Sequence, residues 1–160
     1  MKKKIFIDPS ATGTTGICIV GSEITFLKIE NKDWKEHFEK IKDLVVENSA
    51  DQVVYEINNS IGVSNRTKHI SRLFKLFGAI DALTCFLPIR VNSVPANQTK
   101  QLKKQIISKQ KGIAGLNYQR GKSWTYQNEN ISVHEVDAFL VYWIWKGNNN
   151  LWQKRNLTLI

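Results

Sequence analysis

The segment IFIDPSATGTTGICIV, residues 5–20, decides the fold class. An apolar run ends at Asp8, a turn rich in Ser, Thr and Gly follows, and a second apolar run covers residues 15–20. Both runs have the length and the β-branched composition of buried strands. A third run, residues 24–29, comes after a short break, so the chain is predicted to begin with three antiparallel strands.

Helical and extended patterns alternate after this start. Apolar spacing predicts helices from about residue 33, over 67–86, from 95 and over 132–145, strands over 52–57 and 89–94, and a mobile loop over 109–130. A chain of 160 residues fits one domain, 1–160. Strands interleaved with helices after an antiparallel start predict an α/β fold with a mixed sheet.

The charge of the chain is unevenly distributed. The net charge is +9, yet the interval between Glu56 and Glu129 holds twelve Lys and Arg residues and one acid, Asp81. Surfaces that serve only solubility usually mix both signs, so we expect this interval to bind nucleic acid. The candidate DNA-binding residues are Arg66, Lys68, Lys100, Lys103, Lys104, Lys109, Lys111, Arg120 and Lys122. Lys100, Lys103 and Lys104 have the spacing of a phosphate-facing helical stripe, or of an ordinary exposed face.

Other compositional features exclude several classes. Cys18 and Cys85 each lie in an apolar run, which favours buried reduced thiols over a disulfide. No run approaches the roughly 18 apolar residues of a membrane span, and Asp8 and Pro9 interrupt the only N-terminal apolar run that could begin a signal peptide. We therefore expect a cytoplasmic protein that does not bind membranes.

Four polar residues stand beside apolar segments. Asp8 ends the first strand, Glu56 lies near the end of the strand VVYEI, and His134 and Asp137 lie three apart at the start of the last helix. Carboxylates in such places are costly unless they are paired or bind a metal. We expect the four side chains to converge and to bind divalent ions, two Mg²⁺ with Mn²⁺ as a substitute. Such a pair of ions would promote the hydrolysis of phosphodiesters.

Each of these residues also has a structural alternative. Asp8 could begin a turn, Glu56 could pair with a lysine, and His134 could lie on the surface. Asp137 could be a helix acid favoured by the dipole. Two acids are assigned to structure instead: Glu135 forms a capping box with Ser132, and Asp81 is expected to pair with a base.

Four segments together resemble a known family. IFIDPSATGTTGICIV, VVYEINN, SVPANQTKQLKKQI and VHEVDAFLVYWIW are similar in order and spacing to motifs of the RuvC family of Holliday-junction resolvases, in the RNase H-like superfamily. The resemblance covers nearly the whole chain, and H-x-x-D-A is its most specific part. It implies an RNase H-like fold, a mixed five-stranded sheet whose first three strands are antiparallel, flanked by helices.

The resemblance also implies a function. It implies a homodimer that binds four-way DNA junctions and nicks two opposing strands symmetrically with Mg²⁺. The metal-binding acids would be Asp8, Glu56 and Asp137, with His134 at a position occupied by Asp or His and able to bind metal or orient the attacking water. The helix over 67–86 has more apolar surface than one sheet face needs, which suits the dimer interface. Lys103 or Lys104 would help to neutralise the scissile phosphate.

The chain departs from the family after Glu56, where no aromatic residue follows. Ile61 is a candidate apolar wedge in its place. Tyr118, Trp124 and Tyr126 alternate with basic residues and would either stack on unpaired bases or form a small hydrophobic cluster. The chain is also somewhat shorter than the cellular enzymes and resembles the compact resolvases of phages or small-genome bacteria. We therefore expect the protein to act in a bacterial cytoplasm or in a virus-infected cell.

Other functions remain open at this point. They are a broader branched-DNA debranching nuclease, an RNA–DNA hybrid nuclease and a noncatalytic junction-binding module. An actin-like ATPase begins with a similar turn, but it needs two lobes, and this chain supplies one.

Overall fold

The structure is a computed structural model that describes residues 2–58, 67–119, 121 and 123–157, and the side chains of these residues except 67, 68 and 150–157. Its centre is a five-stranded sheet in the order β3-β2-β1-β4-β5. The strands are β1 Lys4–Asp8, β2 Thr14–Val20, β3 Ile24–Glu30, β4 Gln52–Ile57 and β5 Arg90–Pro95. The pairs β1–β2 and β2–β3 are antiparallel, and β1–β4 and β4–β5 are parallel. The predicted mixed sheet is confirmed.

Four α-helices flank this sheet. They are α1 Trp34–Glu47, α2 Thr67–Ala82, α3 Ala96–Ile107 and α4 Val133–Leu157, and a short 3₁₀ helix, Leu83–Cys85, extends α2. Asp33 caps α1 by accepting a hydrogen bond from the Lys35 backbone N–H. Ser132 and Glu135 form the predicted capping box at α4, in which each side chain accepts from the other's backbone N–H.

Side-chain alternation divides the sheet into two faces. Ile5, Ile7 and the alternate residues of β2 and β4 pack with α1 and α2 in one core. Phe6, Cys18 and Val54 point to the other face, where they pack with α3 and α4. Residues that follow Phe6 and Val54 by two positions therefore also point to the α3/α4 face.

The segment 109–130, predicted as a mobile loop, is instead folded in its described residues. It contains a three-stranded antiparallel sheet of β6 Leu116–Tyr118, β7 Trp124–Tyr126 and β8 Glu129–Ile131. This small sheet packs on the α4 side of the main sheet, where the Tyr126 ring lies 5.2 Å from Phe26 and 5.1 Å from Phe139. Strands of three residues carry too few positions for a periodicity to be visible in the sequence.

Three smaller predictions were wrong. Cys85 is exposed, although Cys18 is buried, and both thiols are free. Helix α4 continues to Leu157 rather than ending near residue 145. Asp81 accepts hydrogen bonds from the Tyr55 hydroxyl at 3.0 and 3.2 Å, where a basic partner was expected. In the described part of the chain, no helix combines the length and apolar character that a bilayer crossing requires.

A close backbone contact fixes α4 on the sheet. Gly16 of β2 pairs in register with Asp8 of β1 and faces the beginning of α4. A Cβ atom at Gly16 would lie 1.9 Å from the carbonyl oxygen of His134 and 2.9 Å from the backbone nitrogen of Glu135. Only glycine therefore allows the first turn of α4 to approach β2 so closely.

We expect Gly16→Ala to destabilise the protein by about 3 kcal/mol, because the contacting atoms are backbone and cannot rotate away. Urea unfolding measures this. The matched control is Gly147→Ala on the same helix, where a Cβ would meet nothing within 4 Å. The control is expected to gain up to about 1 kcal/mol from helix propensity. Equal unfolding midpoints for the two variants would contradict the tight contact.

Candidate active site

Two carboxylates meet at the ends of neighbouring parallel strands. The last registered pair of β1 and β4 is Ile7 with Tyr55, and Asp8 and Glu56 are the next residue on each strand. Both point to the α3/α4 face, because each follows a residue of that face by two positions. Their charges interact, since Glu56 raises the pKa of Asp8.

Helix α4 brings two further residues to this end of the sheet. His134 Nδ1 lies 3.3 Å from Asp8 Oδ2. Asp137, three residues later, lies close enough to raise the pKa of both Asp8 and Glu56 by charge repulsion. The four residues expected to converge thus share one end of the sheet.

Helix α3 supplies the positive charge of the site. Lys103 Nζ donates hydrogen bonds to both carboxylate oxygens of Asp137, at 2.7 and 2.9 Å, and both side chains are mostly buried. Lys100 and Lys103 each lower the pKa of Asp8 and of Glu56. The predicted lysine stripe is therefore divided: Lys103 faces the acids, while Lys100 and Lys104 are exposed.

Sequence reasoning missed Thr99, which also belongs to this site. Its buried hydroxyl donates a hydrogen bond to Glu56 and lies 2.9 Å from the carbonyl oxygen of Ala96. Burial raises the pKa of Glu56, and the hydrogen bond from Thr99 lowers it by a smaller amount. The available signal was spacing, because Thr99 lies four residues before Lys103 and so projects from the same helical face.

The environment of Asp8 disfavours its charged form. Burial, and then repulsion from Glu56 and Asp137, raises the pKa of Asp8 to about 8 despite the two lysines. Burial likewise raises the pKa of Glu56. Asp8 therefore holds a proton at neutral pH when no cation is bound, and a bound cation would favour its ionised form.

The residue types fit a hard divalent cation. Three carboxylates offer the oxygen ligands that Mg²⁺ and Mn²⁺ prefer, and His134 adds an imidazole. No set of three His, Cys, Asp or Glu side chains within the described ranges is already arranged to hold an ion. Asp137 is bonded to Lys103, so an ion held by all three acids would either share Asp137 with this lysine or displace it.

The other candidate DNA-binding residues lie around α3 or outside the described residues. Lys109 and Lys111 are exposed just beyond the C-terminal end of α3. Arg66, Arg120, Lys122 and the candidate wedge Ile61 lie outside the described residues, as does the side chain of Lys68.

The aromatic residues of the small sheet form a hydrophobic cluster, one of the two predicted alternatives. Trp124 is buried and its ring centroid lies 4.8 Å from that of Tyr118. Tyr126 packs between Phe26 and Phe139. The three rings therefore pack against one another or against the main core.

The raised pKa of Asp8 makes the metal-free protein sensitive to pH. Between pH about 4 and about 8 the folded state retains a proton that the unfolded state has released, so stability falls as pH rises through this window. The loss is up to about 5 kcal/mol. Asp8→Asn removes this loss and should unfold at a higher urea concentration than wild type at pH 8.5 in EDTA.

The measurement is urea unfolding of both proteins at pH 5 and 8.5. Asp43→Asn, which changes an exposed acid on α1, is the matched control and should keep the wild-type pH dependence. The same pH dependence in wild type and Asp8→Asn would show that Asp8 is not the group responsible.

Comparison with known proteins gives structural likeness without sequence likeness. No protein-family model matches the sequence, and no curated protein does. Thermus thermophilus RuvC in complex with a Holliday junction substrate is 14% identical with a TM-score of 0.63, over 88% of this chain and 90% of that chain. A second Thermus thermophilus RuvC structure is 16% identical with a TM-score of 0.51, over 87% and 90%.

A eukaryotic protein has a similar structure. The yeast mitochondrial Holliday junction resolvase Ydc2 is 12% identical with a TM-score of 0.53, over 88% of this chain and 75% of that chain. The strand order, the antiparallel start and the flanking helices agree with the RNase H-like architecture expected from the motifs. The chain therefore has the fold of the RuvC resolvases.

Proposed function

We propose that this chain is a metal-dependent endonuclease that resolves four-way DNA junctions by nicking two opposing strands. The observation that carries the proposal is the meeting of Asp8, Glu56 and Asp137, with Lys103, at one end of a RuvC-like sheet. A structural pairing of one acid with one lysine would not need three mutually repelling carboxylates. A site that binds cations together with a phosphate does need several carboxylates close to one another.

Three acids would hold Mg²⁺, two ions per site, with Mn²⁺ as a substitute. The bound ions would supply an activated water and neutralise charge on the phosphate. Asp8 and Glu56 are held by rigid strands, and Thr99 orients Glu56 through its hydrogen bond. His134, whose Nδ1 lies 3.3 Å from Asp8 Oδ2, would bind an ion or orient the attacking water.

Lys103 would exchange partners during binding. In the structure its ammonium group is bonded to Asp137. If cations bound the Asp137 carboxylate, the Lys103 ammonium group would become available to donate hydrogen bonds to the scissile phosphate. Lys100 and Lys104, exposed on α3, together with Lys109 and Lys111, would bind flanking phosphates.

Symmetric nicking of two strands calls for two sites, and we propose a homodimer through α2. Phe74 of this helix is 51% exposed, and Phe86, just after the 3₁₀ helix, is 80% exposed. Rings of this size lose apolar contact with water when a second copy covers them. A twofold axis through this surface would place two acidic sites on one junction.

Cleavage of three labelled substrates tests the activity: an immobile four-way junction, a linear duplex and an RNA–DNA hybrid, each with Mg²⁺, Mn²⁺ or EDTA. We expect paired nicks in the junction alone, dependent on metal. Asp8→Asn should abolish cleavage and leave junction binding intact or tighter, because the variant removes a charge that repels phosphate. The exposed-acid control Asp43→Asn should cleave like wild type.

Other results would assign other functions. Cleavage of forks and flaps as well would indicate a broader debranching nuclease, and cleavage of the hybrid alone would indicate an RNA–DNA hybrid nuclease. Junction binding without cleavage under any metal would indicate a noncatalytic module. Wild-type cleavage by Asp8→Asn would refute the proposed site.

Lys103→Met should slow junction cleavage by about a hundredfold, because it removes a charge aimed at the reacting phosphate. Single-turnover cleavage at saturating protein measures this rate. Lys104→Met, on the exposed side of the same helix, is the matched control and should weaken binding without changing the saturated rate. Equal saturated rates for the two variants would assign Lys103 to charge balance alone.

A further inference from the structure

Each of the three histidines of this chain lies within hydrogen-bond distance of a side chain in residues 8–15, the segment that begins with the proposed metal ligand Asp8. The pairs are His134 with Asp8, His69 with Thr12 and His37 with Thr15. The first pair belongs to the candidate active site. His37 is different, because it is completely buried and the proposed reaction does not use it.

Thr15 closes the turn that follows Asp8. The backbone N–H of Ser10 donates to Thr15 Oγ1 at 2.9 Å, and the same hydroxyl lies 3.1 Å from the carbonyl oxygen of Ser10. The backbone N–H of a residue two positions after Asp8 therefore depends on this side-chain oxygen. That oxygen is buried.

His37 holds this hydroxyl in place. Its Nδ1 lies 2.9 Å from Thr15 Oγ1, and its Nε2 lies 3.0 Å from the carbonyl oxygen of Asn31. The backbone N–H of Asn31 donates in turn to the carbonyl oxygen of Gly13, at the other end of the turn. The imidazole thus connects the turn to the segment between β3 and α1, and both ring nitrogens have partners.

His37 acts from the face of the sheet opposite to the acids. Thr15 points toward α1, whereas its neighbour Gly16 points toward α4 and Asp8. The imidazole is therefore no candidate for metal or phosphate binding. Its influence on the site passes through the backbone of the turn.

We propose that His37 is a positioning residue: through Thr15 it fixes the turn after Asp8, and so sets where Asp8 stands relative to Glu56 and Asp137. The proposal rests on the function proposed above. An apolar side chain would fill the same core position without needing two hydrogen-bond partners. What the imidazole adds is a fixed connection between α1 and the turn.

The sharpest test removes one atom, Thr15 Oγ1, which connects His37 to the backbone of Ser10. Thr15→Val keeps the volume and removes the hydroxyl, whereas Thr15→Ser keeps the hydroxyl and is the matched control. We expect Thr15→Val to weaken Mn²⁺ binding, measured by calorimetry on the protein without DNA, by about 10- to 100-fold, as loss of groups that orient ligands does. Thr15→Ser should bind Mn²⁺ within about threefold of wild type.

A second pair tests the imidazole itself. His37→Leu removes both hydrogen bonds, and His37→Asn keeps a polar group near the position of Nδ1. We expect the asparagine variant to recover part of the Mn²⁺ affinity that the leucine variant loses. Because Thr15 and His37 act through one contact, the loss in the double variant Thr15→Val/His37→Leu should be smaller than the product of the single losses.

Folding is controlled by urea unfolding and circular dichroism of each variant. Wild-type Mn²⁺ affinity in folded Thr15→Val would overturn the proposal, whatever its unfolding midpoint, and so would equal losses in Thr15→Val and Thr15→Ser. If His37→Leu does not fold, the two threonine variants decide alone. Mn²⁺ binding needs no DNA cleavage, so failure of the junction assay leaves this test valid.

Discussion

The contact between Gly16 and the carbonyl group of His134 is the constraint on which the site depends. A helix that rests its backbone directly on a strand lies closer to the sheet than side-chain packing allows. Because Gly16 pairs with Asp8, the same contact brings the beginning of α4 over the end of β1. The apolar residues that follow then cover the central strands; they are Val136, Ala138, Phe139, Leu140 and Val141.

Once α4 is placed, electrostatics determines the rest of the site. Three carboxylates that share one sheet end repel one another, and helix α3 offsets part of this repulsion from one of its faces with Lys103 and Thr99. The pKa of Asp8 is nevertheless raised to about 8, chiefly by burial and then by the two neighbouring carboxylates. These acids lie beside an exposed basic face of α3 that carries Lys100 and Lys104.

Strand β2 transmits constraints from both faces of the sheet. Gly16 contacts the backbone of α4 on one face, and Thr15 is hydrogen-bonded to His37 of α1 on the other. The turn after Asp8 is therefore held between two helices that are far apart in the sequence. These contacts explain how a turn rich in Ser, Thr and Gly, which is locally permissive, can hold the Asp8 carboxylate in a defined position.

The antiparallel start, the mixed sheet and the capping box of α4 were predicted from the residues, and the RNase H-like architecture from the resemblance of four motifs. The first three follow from local periodicity and residue spacing, whereas the architecture follows from the order of the motifs along the chain. The partner of Lys103, the roles of Thr99 and His37, the exposure of Cys85 and the small sheet within 109–130 required the tertiary structure. Each of these depends on which distant segment packs nearby; the three-residue strands, for example, are stabilised by Phe26 and Phe139 rather than by their own propensity.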